Sequence, residues 1–379
     1  MANVFENVDM IAAEALVHME DSLVIAGLCA KDVSSDFSVT PNGYAVGESI
    51  RFKTRPSYVA KEFTGSLDKQ EVKEVSRTMT IDKHLDVSVE LTAKELALDF
   101  ESFSEQVIIP AAYALAEKID IYVGTKVLDA RGLYADSSVL STAASMASAR
   151  SSANYQQLNP IGRFGLVDST LEARMLGAEY FNRSNYRGAQ GEKTLTFGTM
   201  GTMMNFNWFA SMNFPESTLS ASSETTATDN AAGANQIGDT TLKVDALTNE
   251  ITAGNFLAVA GCRRRLVVKT TAAAAATSIS LVDPIDEYIE DGVAVTVVQD
   301  NNTVTMHGAL FDDRSLGVAF PMLDKPEDKI ASTISDNGVS IRVVKGYNMD
   351  TKKTLMSLDV LCAAAAIDPR RITLIGDAA

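Results

Sequence analysis

From residue 8 onward, apolar side chains recur at helical spacing. Val8, Ile11, Ala12, Ala15, Leu16, Met19, Leu23 and Ile25 form one stripe with acids between them, which predicts an amphipathic helix over 8–30, weakened near its end by Gly27. Nothing nearby in sequence offers a surface for that stripe, so the helix reads as an arm that needs a partner. The period then drops to two. Residues 47–58 and 72–91 alternate: Ile50 and Phe52 against Arg51 and Lys53, then Val75, Met79, Ile81, Leu85, Val87, Val89 and Leu91 against polar neighbours. A polar stretch with Gly65, Asp68 and Lys69 lies between them. The pair predicts an extended hairpin with a charged tip, marginal by itself.

Helical spacing returns over about 101–131, with Phe103, Val107, Ile108, Ala112, Leu115, Ile119, Tyr122, Val123 and Val127 on one side. Thr92-Ala-Lys-Glu95 matches a capping box and predicts a helix start, while Pro110 ends or kinks a turn. A loop-rich region follows over 131–165, with a Ser/Ala tract from Ser141 to Ser152. Ser169-Thr-Leu-Glu172 is a second capping box, predicting a helix to about Asn182.

Near 216 the composition changes. Residues 217–236 are nearly all small, polar or acidic and read as a linker or surface loop. Short alternating runs come next: Thr241–Val244, Phe256–Val259, Leu266–Val268, Ile279–Leu281 and Val293–Val298. Runs of this length between turns predict a small all-β barrel or sandwich over about 217–302, inserted into an α+β host. Beyond 303 the pattern is mixed again. Ser340–Val344 and Arg371–Ile375 read as strands, and Asp359–Ile367 as a continuous buried segment.

The 379 residues suffice for two or three domains. A net charge of −16 argues against a protein that condenses nucleic acid. The charge is also unevenly placed. Residues 1–50 hold eight acids and one base, Lys31, whereas residues 51–83 hold eight bases and five acids. Blocks of opposite sign suggest surfaces for charged partners, or ordinary solvated faces. The three cysteines, Cys29, Cys262 and Cys362, are widely spaced and fit a reducing compartment better than a disulfide framework. The start lacks the pattern of a secretory signal and no run is long enough to span a bilayer, so synthesis and folding in a cytoplasm, without membrane contact, are expected.

Catalytic signatures are sparse. Ser66-Leu-Asp-Lys69 and Ser335-Asp-Asn337 match two of the three penicillin-binding-enzyme signatures, but the Lys-Thr-Gly is missing and Ser66 falls in the predicted hairpin tip. There is no Walker loop, GxGxxG, GxSxG or HExxH, and His18, His84 and His307 lack metal-ligand spacing. No catalysis, cofactor or metal is expected. Arg263-Arg-Arg265 is the one dense basic cluster; it either touches phosphate or, the favoured reading, bridges acids on a neighbouring strand or subunit.

Asp82–Phe100 in the hairpin's second strand, Ile109–Asp120 in the long helix, Thr303–Phe311, Gly338–Val343 and Asp359–Leu361 carry a resemblance by order and spacing. The chain resembles the major capsid proteins of tailed double-stranded DNA phages, in particular the P22-like coat proteins with the HK97 fold. That resemblance implies an N-arm over 1–46, an E-loop hairpin and leading P-domain strand over 47–91, and a P-domain spine helix over 92–131. It implies an A-domain over 132–216 and 303–365, an inserted I-domain over 217–302, and a closing P-domain strand over 366–379. The implied function is self-assembly into hexamers and pentamers of an icosahedral shell around the packaged genome, without sequence-specific DNA contact. The implied partners are the chain itself, a scaffolding protein, a portal protein and a decoration protein. Asp9, Glu14, Glu20 and Asp21 are the expected scaffold-docking acids. Arg51, Lys53, Arg55, Lys61, Lys69, Lys73 and Arg77 are the expected inter-subunit contacts of the E-loop. Lys61 and Lys69 lie in the loop that some members crosslink by an isopeptide bond; no partner asparagine is evident, and no crosslink is expected. A nanocompartment shell of the same fold, or a hydrolase or sugar-binding protein using the β module, are the alternatives.

Overall fold

The computed structural model describes residues 5–31, 49–54, 62, 75–92, 104–198, 200–229, 235–299, 301–326, 330–349 and 353–378. In chain order the first elements are α1 (Phe5–Ser22), β1 (Ser49–Thr54), β2 (Val75–Thr80), β3 (Lys83–Thr92), α2 (Ile109–Val127) and β4 (Gly132–Ala135). Next come α3 (Ala143–Tyr155), β5 (Arg163–Val167), α4 (Ser169–Gly177), α5 (Glu179–Asn182), α6 (Ser184–Arg187), α7 (Ala189–Phe197), β6 (Thr202–Met203) and β7 (Phe206–Ala210). Then follow β8 (Ser217–Leu219), β9 (Thr225–Ala227), β10 (Thr241–Lys243), β11 (Phe256–Val259), β12 (Leu266–Val267), β13 (Ser278–Ser280) and β14 (Ala294–Val297). The chain closes with β15 (Val304–Asp312), β16 (Leu316–Ala319), β17 (Ile330–Asp336), β18 (Val339–Asn348), β19 (Lys353–Ala366) and β20 (Thr373–Ala378). It divides into two units, one of Met1–Arg51, Thr78–Lys126 and Leu316–Ala366, the other of Phe52–Arg77, Val127–Ser315 and Ile367–Ala379.

The first unit is built on β19. Its fourteen residues pair antiparallel with β18 and then β16 on one side, and with β3 over ten residues on the other. The predicted second hairpin strand is therefore two pieces. β2 pairs with β1, whereas β3 joins the β19 sheet and gains most of its support there. Asn337 (φ 46°) and Gly338 (φ 77°) turn β17 into β18; two consecutive left-handed positions are what a tight hairpin demands. The Ser335-Asp-Asn337 match is thus turn chemistry.

The arm departs most from expectation. Val8, Ile11, Ala12, Ala15, Leu16 and Met19 are all buried within the single chain, where α1 packs on β17 and β18. The partner surface lies more than three hundred residues downstream, which local sequence reasoning does not reach. α2 continues directly from a π-helical turn over Ser104–Ile108, and Pro110, which lacks an N–H, stands at the junction, where the regular helical ladder is already interrupted. Thr92 ends β3, and residues 93–103 lie outside the described residues.

The second unit holds a seven-stranded sheet in the order β4-β20-β15-β5-β7-β6, with β8 also on β15. One face carries a core of Met146, Leu171, Met175, Phe181, Phe206, Trp208 and neighbours, covered by α3 to α5. The α4 start was anticipated, but its N-cap is Asp168, whose carboxylate accepts from Leu171 N at 2.8 Å. A separate β module has its own core of Leu242, Val244, Leu257, Ile279, Leu281 and Val295. It comprises β12-β11-β14-β9 and the pair β10-β13. The short runs from 241 onward were anticipated; β8 and β9 within the expected linker were not. β8 serves the host sheet and β9 the module, because each borrows its ladder from a distant strand.

Candidate functional site

The positions singled out from sequence fall on three surfaces. On α1, Asp9 and Asp21 are exposed and Glu14 and Glu20 half-buried. Glu14 accepts a hydrogen bond from Ser104, and Glu20 accepts one from Asn337 Nδ2 at 3.4 Å. Two of the four proposed docking acids are therefore partly engaged within the chain.

What holds the end of the arm is an acid that sequence reasoning did not assign. Asp120, on the buried face of α2, accepts from Val24 N at 2.9 Å and Ala26 N at 3.0 Å. Burial pushes its carboxyl above the usual range, opposed by the amides of Ala26, Val24 and Ile25. An acid flanked by Ile119, Ile121 and Val123 was the available signal. On the same helix, Tyr122 donates to Asp82 and accepts from Ala364 N at 3.3 Å, tying β19 to α2.

On the hairpin, Arg51 is exposed. Lys53 is on β1, its side chain outside the description, and Arg55, Lys61, Lys69 and Lys73 lie outside the described residues altogether. Arg77 is half-buried and ion-paired with Asp283 of the β module, so this base finds its acid in its own chain.

The arginine cluster is the most developed polar site. Arg131, at 2% side-chain exposure, donates to Asp286 at 3.1 Å and to the carbonyl of Arg265 at 3.2 Å, with Asp283 at 4.0 Å. Arg264 holds the other oxygen of Asp286 at 2.6 Å and reaches Gln157 at 2.6 Å. Arg265 donates to Leu133 O, and burial alone lowers its pKa. Burial pushes the Asp286 carboxyl up, but the Arg131 and Arg264 guanidiniums outweigh it and leave the group below the usual range. Two of the three arginines thus bridge the β module to the 131–157 region of the host. Within the run, Arg264 meets the acid Asp286 while Arg265 meets a carbonyl, and Arg131, Asp283 and Asp286 are partners that the sequence did not assign. Arg263 is exposed, its backbone N–H bound to Glu287 at 2.6 Å.

Elsewhere, His307 Nδ1 lies 2.7 Å from the capping carboxylate of Asp168, and Arg342 grips Asp359 at 2.5 and 3.0 Å across β18 and β19. Burial raises the thiol of Cys29 to about 12 and of Cys262 to about 11, which leaves both unreactive near neutrality. Among the described residues, no cluster of His, Cys, Asp and Glu is placed to hold a metal, and no helix is long and apolar enough to cross a membrane.

No family profile and no curated protein matches the sequence. Solved structures do. A structure from Mycobacterium phage Che8 superposes with a TM-score of 0.52 at 10% identity, covering 93% of this chain and 90% of that one. The capsid structure of cyanophage P-SCSP1u gives 0.47 at 13% identity, over 88% and 84%. A virus-like particle from Pyrococcus furiosus gives 0.45 at 9% identity, over 98% and 99%. At these identities the likeness is one of fold alone: the mixed α+β chain shares the fold of the Che8 phage structure.

Proposed function

We propose that the chain is the major coat protein of a tailed double-stranded DNA phage, a non-catalytic subunit that assembles with its own copies into an icosahedral shell. The supporting observation is the fold shared with the Che8 structure over nine-tenths of both chains. The β19-centred sheet and the seven-stranded sheet are the framework such a subunit would use. Of the proposed scaffold-docking acids, Asp9 and Asp21 are the ones whose exposure suits a basic partner. Such contacts set register and rate more than affinity, since exposed ion pairs contribute about 0–1 kcal/mol each. Scaffolding, portal and decoration proteins and packaged DNA are the partners this role entails, and the virion shell is its place.

Size exclusion and electron microscopy of the expressed full chain test the reading. Closed megadalton shells, formed alone or with a scaffolding partner, support it. A compact monomer under every assembly condition refutes it. Shells formed around an enzyme cargo, without nucleic acid, would assign the chain to a nanocompartment.

A further inference from the structure

A cavity of about 390 Å³ opens between α3 of the host and the arginine turn of the β module. Ser148, Tyr155, Gln156, Arg263, Arg264 and Arg265 line it. In a chain of net charge −16 this concentration of guanidiniums is out of character.

The charges are not all neutralised. Asp286 is shared by Arg131 and Arg264, and Arg265 spends its hydrogen bond on the neutral carbonyl of Leu133. The Arg263 guanidinium has no carboxylate partner among the described residues, and it stands exposed at the rim. At the mouth, Tyr155 is 61% exposed, a flat apolar face beside the cations.

Free guanidinium forks select planar or tetrahedral oxyanions, and an aromatic face selects a planar ring. The size lies within the range of about 300–1,000 Å³ that small-molecule pockets occupy. A concave pocket of this size excludes a duplex, whose phosphates lie on a convex surface. We propose that this cavity is a binding site for a small phosphate ester carrying a planar base, of the nucleoside monophosphate class. Arg263 and Arg265 hold the phosphate, and Tyr155 stacks on the base. The assignment rests on side chains within one unit and is independent of the shell reading.

Equilibrium dialysis and calorimetry on the purified full chain test it, with AMP, adenosine, inorganic phosphate and a short DNA duplex as probes. AMP is expected to saturate at one per chain and to bind about tenfold or more tighter than adenosine or phosphate alone. Arg263→Ala, at an exposed position, should weaken AMP and phosphate by about tenfold. Tyr155→Ala should weaken AMP and leave phosphate unchanged; circular dichroism verifies that both variants fold. Absence of saturable AMP binding overturns the proposal, as does AMP binding indifferent to both substitutions. Duplex binding in preference to AMP, lost in Arg263→Ala, overturns it in favour of a nucleic-acid surface.

Discussion

The carboxylate of Asp286 is the hinge of the β-module junction, and its replacement by asparagine should be among the most damaging polar substitutions in the second unit. Asp286 neutralises Arg131 and Arg264, whose side chains are 2% and 13% exposed. Without it, Arg131 keeps only the carbonyl of Arg265 and a carboxylate at 4.0 Å. Stranding a buried charge in this way costs about 3–5 kcal/mol, and the partial exposure of Arg264 argues for the lower figure. With a urea slope of about 2 kcal/mol per molar, a loss of about 3 kcal/mol moves the midpoint down by about 1.5 M. The sole tryptophan, Trp208, is buried in the host sheet of the same unit and reports the transition by fluorescence. Arg131→Met in the Asp286→Asn background should recover part of the loss, because removing both partners leaves less charge unpaired. The acid side follows from the lowered carboxyl pKa. A depressed folded value stabilises above the unfolded pKa of about 3.9 and is lost as pH falls through the lower folded value, so only wild type should soften in that window. A midpoint moved by less than a few tenths molar, or an unchanged acid limb in Asp286→Asn, would falsify the buried-pair account.

Four further outcomes are expected. Asp120→Ala leaves the amides of Val24 and Ala26 unpaired, at about 1–3 kcal/mol each, and should speed hydrogen exchange at both positions while the β module stays protected. Because burial raises the Asp120 carboxyl, its stabilising share is complete below the unfolded pKa and is lost as pH rises through the folded value; pH-dependent exchange at Ala26 measures this, and a flat profile contradicts it. Leu16→Ala should cost about 2–5 kcal/mol at any protein concentration, since α1 packs on its own β17 and β18; a loss seen only under assembly would point to a neighbouring subunit instead. In Gly165→Ala the added methyl would stand 2.6 Å from the Trp208 ring, so overpacking of about 1–3 kcal/mol and a shifted emission maximum are expected, and an unperturbed spectrum would refute the close approach.

The amino-acid sequence alone determined most of the local structure. The apolar stripe marks α1, and the Phe256–Val259 and Leu266–Val268 runs mark module strands. These features depend on side-chain periodicity and turn chemistry, which act over a few residues. What covers each surface was decided by tertiary structure. α1 is covered by strands some three hundred residues away, β3 leaves its hairpin for β19, and β8 and β9 take strand form only through partners at 304–306 and 294–296. The polar site divides in the same way. The run Arg263–Arg265 is visible in sequence, but its consequences depend on Arg131, Asp283 and Asp286 arriving from separate segments. Burial and pairing energies arise from three-dimensional neighbours, and a one-dimensional pattern carries no term for a neighbour a hundred residues away.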